Sequence, residues 1–260
     1  MNIDGMTLSI LGPAFIAGLL VVATHVPLGQ EVLKRGIIFI DLAIAQIAGL
    51  GVILANQLGW QAHGWEVQLA ALTSALIGAW ILSLMEKFWG SIQEALIGVI
   101  FILSATASIL LLANNPQGGE HLKELLVGQI LWVTWDQIIP IALMTIAILV
   151  AWFKFRQYFN GMGFYLIFAM AVTSSVQLVG VYLVFASLII PALASNNYKA
   201  KPALIIGYTV GILGYGLGLI FSSLIDLPSG AVIVWSITII ALIIQIIFKR
   251  KLIKIPKYLN

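Results

Sequence analysis

Long apolar runs follow one another almost end to end along this chain, separated by short polar gaps. Runs near 7–27, 36–56, 66–86, 93–113, 137–153, 203–223 and 229–248 are each close to the ~18–20 residues that a helix needs to cross a bilayer. The stretch 161–195 is too long for one upright crossing and short for two full ones. Its middle, Ser174-Ser175-Val176-Gln177, is polar for a membrane interior. Irregular backbone at membrane depth survives only when buried in protein or lining a cavity, so this stretch predicts a broken helix or helix pair around 174–180. The expected fold is all-α: a polytopic integral membrane bundle of eight or nine transmembrane helices, forming a single membrane domain over 1–260.

Composition agrees with that pattern. Charged residues make up 9% of the chain, against about 25% in a soluble domain, and the mean hydropathy is +1.08. The first run follows an N-terminus with Asp4 and no basic residue, so it reads as a span rather than a cleaved leader. There is no cysteine, which removes thiolate metal sites and redox motifs. Of the 13 Lys and Arg residues, all but Lys123 fall in alternate gaps: Lys34/Arg35, Lys87, Lys154/Arg156, Lys199/Lys201 and the tail. This assumes that 161–195 leaves and returns to one side. The opposite gaps hold Glu66, Glu120, Glu124, Asp136 and Asp226, and Trp60, Trp65, Trp132 and Trp135 stand at span ends there. By the positive-inside rule the basic side is cytoplasmic, placing the C-terminus inside and the N-terminus outside. The basic tail is this signal, and no nucleic-acid partner is expected.

Acidic residues within spans are rare and functional by default. Asp41 lies about a turn and a half into the second run. It either lines a pathway, or pairs with Lys34 or Arg35 or caps nearby backbone. Gln46 follows in the same run, about 140° around the helix from Asp41; a bridge to a neighbouring helix is the simplest role. His25 precedes Pro27 near the inner end of the first run, where a histidine is more often a packing residue than a ligand. His63 and His121 fall in outer gaps, and three scattered histidines make no metal-ligand spacing. Gly207, Gly211, Gly214 and Gly218 recur at intervals of 4, 3 and 4, one helical face suited to close packing against another helix.

Five segments in order carry a family resemblance. Gly29-Gln30-Glu31-Val32-Leu33-Lys34-Arg35, running on to Asp41, resembles the start of the second helix in permeases of zinc/manganese-type ABC importers, the ABC-3 family. Glu94-Ala95-Leu96-Ile97-Gly98 is similar to their acidic-x-x-Ile-Gly segment. Leu125-Leu126-Val127-Gly128-Gln129-Ile130-Leu131-Trp132-Val133 is similar to a third segment. Val179-Gly180-Val181-Tyr182-Leu183-Val184 with Leu188-Ile189-Ile190-Pro191-Ala192 is similar to a fourth. Asp226-Leu227-Pro228-Ser229-Gly230-Ala231 resembles their late outer Asp-x-Pro-x-Gly-Ala segment. One departure stands out: the familiar members carry His four residues after the second-helix Asp, and here that position is Ala45.

The resemblance implies a permease in a bacterial inner membrane that carries a divalent transition metal, zinc or manganese and less readily iron, with no stably bound cofactor. Asp41 would be the metal-path residue, with Gln46 and His25 as further metal candidates. The chain has no GxxxxGK[ST] segment, so ATP hydrolysis is expected in a separate cytoplasmic ATPase. An external metal-binding protein and a second permease copy complete the expected partners. The expected ATPase contact is a short cytoplasmic stub after Pro191, with Asn197, Tyr198, Lys199 and Lys201, closed by Pro202; the gap around Lys87–Glu94 is the second choice. The rival classes are an ion-coupled secondary carrier, with Asp41 as coupling carboxylate, and a membrane subunit with no transport role.

Overall fold

The computed structural model describes residues 5–60, 64–113, 115–155, 157, 159 and 161–252. The expectations placed on His63, Arg156, Lys254, Lys257 and the first four residues lie outside that set. Ten α-helices and no strand occur among the described residues: α1 Gly5–Arg35, α2 Ile40–Gln57, α3 Trp65–Trp89, α4 Gln93–Leu112, α5 Gly118–Val127, α6 Trp135–Lys154, α7 Met162–Val179, α8 Val181–Ser195, α9 Ala200–Ile225 and α10 Ser229–Leu252. Among the described residues, seven helical stretches are long and apolar enough to cross a membrane, and α8 is a shorter apolar helix.

The sides of these helices show what surrounds them. On α6 the buried residues Ile138, Thr145, Ile148 and Trp152 form one stripe. The rest of its surface is apolar too, with Ile139, Leu143, Ile146, Val150 and Phe153 all exposed. A helix apolar all round is matched to hydrocarbon on its outer face. Trp60, Trp65, Trp132 and Trp135 are exposed at the acidic end of the bundle.

The first run does not stop at Pro27, as the sequence suggested, but continues to Arg35. A proline inside a helix leaves the carbonyl four residues earlier without its donor. Here that carbonyl belongs to Ala23, and the Tyr208 hydroxyl of α9 donates to it at 3.1 Å. The helix ends at Gly36, at φ 70. The Gly36 and Ile37 amides bond back to Leu33 and Val32, a closure that the left-handed conformation of glycine permits. The second helix therefore begins at Ile40 rather than 36.

The helices α3 and α4 form a hairpin on either side of α2, joined by a 3-10 turn at Gly90–Ile92. Gly78 packs on Ile47 and Gly51 on Ser74, so α3 is antiparallel to α2. The Phe39 amide donates to Glu94, and the Gln57 amide to the Leu111 carbonyl, so α4 runs parallel to it.

The 161–195 stretch is a helix pair, and its break falls at Gly180 (φ 80, ψ 163). The polar residues 174–177 stay helical: Ser174 donates back to the Met170 carbonyl at 2.9 Å, which satisfies its hydroxyl inside the helix. At 15 residues, α8 is about 22 Å long, less than the ~30 Å hydrocarbon core, so the break lies at membrane depth. It is covered by protein. Gly180 packs backbone to backbone on Gly128 (φ 71) at the end of α5, and Gly230 at the start of α10 abuts the Val127 carbonyl.

Candidate functional site

The second helix begins without a capping side chain of its own. Glu94, from the start of α4, fills that role, accepting the Phe39 amide at 3.2 Å. Two residues on, Asp41 sits in the first turn of α2, 1% exposed. Neither of its carboxylate oxygens has a hydrogen-bond partner.

The two lysine and arginine partners considered for Asp41 are engaged elsewhere or face out. Lys34 is exposed. Arg35 is held on four sides: Glu31 at 3.2 Å, Glu86 at 3.5 Å, the Phe159 carbonyl at 3.2 Å, and the face of Phe164 at 4.2 Å. Phe159 stacks in turn on Trp152, and Gln93 donates to the Tyr165 hydroxyl. Arg35 thus ties the basic ends of α1, α3 and α7 together, a hub the sequence reading did not single out. A planar fork with five donors is what allows one side chain to serve so many partners. The carboxylate of Asp41 is left in the first turn of its own helix with no donor on either oxygen.

Gln46 is buried and makes no side-chain hydrogen bond, so it bridges to no neighbouring helix. His25 is fully buried in α1, with Nδ1 2.9 Å from the Val21 carbonyl. The three polar candidates occupy different depths. The α2–α3 register places Asp41 within ~3 Å of the level of Glu86 and Arg35, whereas His25 is ten residues up α1, about 15 Å. His25 therefore does not replace the imidazole missing at position 45. No group of three or more His, Asp or Glu gathers among the described residues.

The segment after Pro191 differs from its expected form. Pro191 is buried inside α8 and offers no outer surface. Residues 196–199 form a tight turn rather than a helical stub, with the Tyr198 amide bonded to the Ser195 carbonyl at 3.1 Å. Pro202 does not close a helix but lies in the first turn of α9, where its missing N–H would have had no partner anyway. Asn197, Lys199 and Lys201 are exposed there and Tyr198 is half-buried. The Gln30 amide reaches the Ser195 hydroxyl at 3.3 Å, linking this turn to α1. Glu94 stands on α4 beside the start of α2, not on a free loop.

The glycine face of α9 serves two neighbours. A Cβ at Gly207 or Gly211 would strike Val26 or Val22 of α1, and one at Gly214 or Gly218 would strike Ile237 or Ile233 of α10. At the acidic end, Asp226 closes α9 in the left-handed conformation (φ 52, ψ 47). Ser222 donates to the Leu227 carbonyl at 2.7 Å, and the Pro228 carbonyl accepts the Val232 amide at 3.1 Å. Ser229 and Gly230 start α10. These outer residues shape a turn.

Comparison with known proteins gives this architecture its relatives. The profile of the ABC 3 transport family matches residues 7–165 and 158–249. An uncharacterized membrane protein of Synechocystis is 25% identical over 258 residues, covering 91% of this chain and 90% of that protein. A Chlamydia muridarum protein named "Probable metal transport system membrane protein" is 21% identical over 233 residues, covering 79% of this chain and 78% of that one. PsaBC from Streptococcus pneumoniae, solved in complex with Fab, has a chain that superposes with a TM-score of 0.75 at 22% identity, covering 96% of this chain and 98% of that one.

Proposed function

The chain belongs to the ABC 3 transport family, and from that premise we propose that it is the permease of an importer bringing a divalent transition metal, zinc or manganese, into a bacterial cytoplasm. A separate cytoplasmic ATPase supplies the energy, an external binding protein delivers the ion, and two permease copies work together. The observation that carries this reading is Asp41: a carboxylate 1% exposed, with both oxygens unpartnered, at one end of a membrane bundle. Such a group is costly to keep and suited to a dication that has shed part of its water. The naming of the Chlamydia relative agrees with a metal as cargo.

By the positive-inside rule the end holding Arg35 and the 196–199 turn faces the cytoplasm. The turn joins α8 to α9 and reaches α1 through Gln30 and Ser195, so an ATPase pressing on it would move three helices at once. The test is zinc and manganese uptake by vesicles containing the permease with its ATPase and binding protein. Asp41→Asn should cut uptake severely while the ATPase still co-purifies. Normal uptake by that variant would remove Asp41 from the path.

A further inference from the structure

Resting on the reading above, we propose that His25 is a second station for the permeant ion, deeper in the membrane than Asp41, and that its imidazole favours zinc over manganese. The geometry of the ring carries the argument. Nδ1 lies 2.9 Å from the Val21 carbonyl and 3.0 Å from the Thr24 hydroxyl, which itself donates to Val21 at 3.2 Å. A carbonyl only accepts, so Nδ1 bears the hydrogen. Protonating Nε2 as well would place an unpaired cation in a fully buried site, which is costly. The lone pair is therefore on Nε2, which is buried and has no partner.

A metal-binding histidine is typically arranged in this way: the far nitrogen donates to a backbone carbonyl, fixing tautomer and ring orientation, and the near one is free. A packing histidine would normally use both nitrogens, since buried polar atoms are rarely left unpaired. A second unpartnered atom occurs within about 5 Å of that depth. Thr173 Oγ1 of α7 is buried without a hydrogen bond. Arg35 lies over Phe164, which anchors α7 against α1. Counting from that contact, Thr173 is about 14 Å up α7 and His25 about 15 Å up α1. Counting instead from Gly29, packed on Leu188, back along α8 to Gly180 and down α7 puts Thr173 about 1.5 Å and His25 about 6 Å above Gly29.

His25 and Asp41 are thus separated by about 12 Å of depth, eight residues of helical rise. The ion would meet the two in succession rather than together. Imidazole suits zinc and the later transition metals, whereas oxygen donors alone suit manganese.

The experiment combines a binding and a transport readout. Zinc and manganese are titrated calorimetrically into the detergent-purified permease, and uptake of each is followed in vesicles holding the complete transporter. Wild type, His25→Ala and His25→Gln are compared. Gln keeps a donor for Val21 and offers a harder oxygen, so it guards against a failure to fold. We expect each variant to lose zinc affinity and zinc uptake by at least about tenfold, with manganese uptake changed by less than about twofold. His25→Gln with wild-type zinc binding and uptake overturns the proposal while leaving the transport reading in place. An equal loss of both ions in a folded His25→Gln also overturns the selectivity assigned to the ring. If the wild-type complex moves neither ion, the transport reading itself fails.

Discussion

Substituting Gly180 with alanine tests the contact that divides α7 from α8. Gly180 has φ 80 and ψ 163, a region essentially reserved for glycine, and a side chain there costs about 1–3 kcal/mol in backbone strain. Its Cβ would stand 2.6 Å from Gly128 Cα and 2.6 Å from the Val127 carbonyl carbon. Both are backbone atoms, so no rotamer change relieves the overlap; the helix junction must move away from the end of α5. Overpacking of this kind costs about another 1–3 kcal/mol. The expected loss is about 2–6 kcal/mol, at or beyond the upper end of ordinary point substitutions. Gly98→Ala is the control: nothing lies within 4 Å of a Cβ there and the residue is inside α4, so alanine should be neutral or stabilise by about 0.5–1 kcal/mol. SDS titration in mixed micelles, followed by tryptophan fluorescence, measures both. Gly180→Ala within about 1 kcal/mol of wild type would refute the contact and the strain together. Gly128→Ala should be as harmful, and the double variant less than additive, because both act on one contact.

Three further outcomes are expected. Arg35→Lys keeps the charge but loses the fork that reaches Glu86, the Phe159 carbonyl and Glu31; with these ion pairs partly exposed, the loss should be about 1–2 kcal/mol by the same unfolding titration, and an unchanged midpoint would argue against the hub. Gly211→Leu forces a side chain into Val22 and should lower detergent melting by an amount equivalent to about 1–3 kcal/mol; an unaltered melt would mean the α1–α9 approach is looser than the structure has it. Tyr198→Ala should retain fold but lose binding-protein-stimulated ATP hydrolysis, and wild-type stimulation with full ATPase co-purification would exclude the 196–199 turn as the coupling contact.

Much of this molecule could be read from one dimension. Helix number, apolar sides and the separation of basic from acidic ends follow from run length and charge placement, because a bilayer imposes the same demand on every crossing segment. Asp41 could be singled out for the same reason, since an acid is conspicuous wherever water is scarce. The misreadings share a cause. Pro202 reads along the chain as a helix end, and the first apolar run is bounded near 27, but the effect of a proline depends on whether the freed carbonyl or missing donor has a partner. Tyr208, 185 residues away in sequence, supplies one, and the orphan amides of a first turn make the other unnecessary. Arg35 looked like one more cytoplasmic charge until Glu86, Phe159 and Phe164 arrived around it. Glu94, an acid at the start of α4, caps the start of a different helix, α2.

The spans, their alternation and the acid embedded among them are therefore legible along the chain, all being properties of local composition against a uniform solvent. Which polar groups are left over depends on the packed fold. Asp41 and the Nε2 of His25 are unpartnered because Arg35, Val21 and Thr24 are arranged as they are. Their separation in depth follows from how α2 and α1 are set against α3 and α7. Satisfaction of a buried polar atom is a three-dimensional count, and no periodicity along a chain contains it.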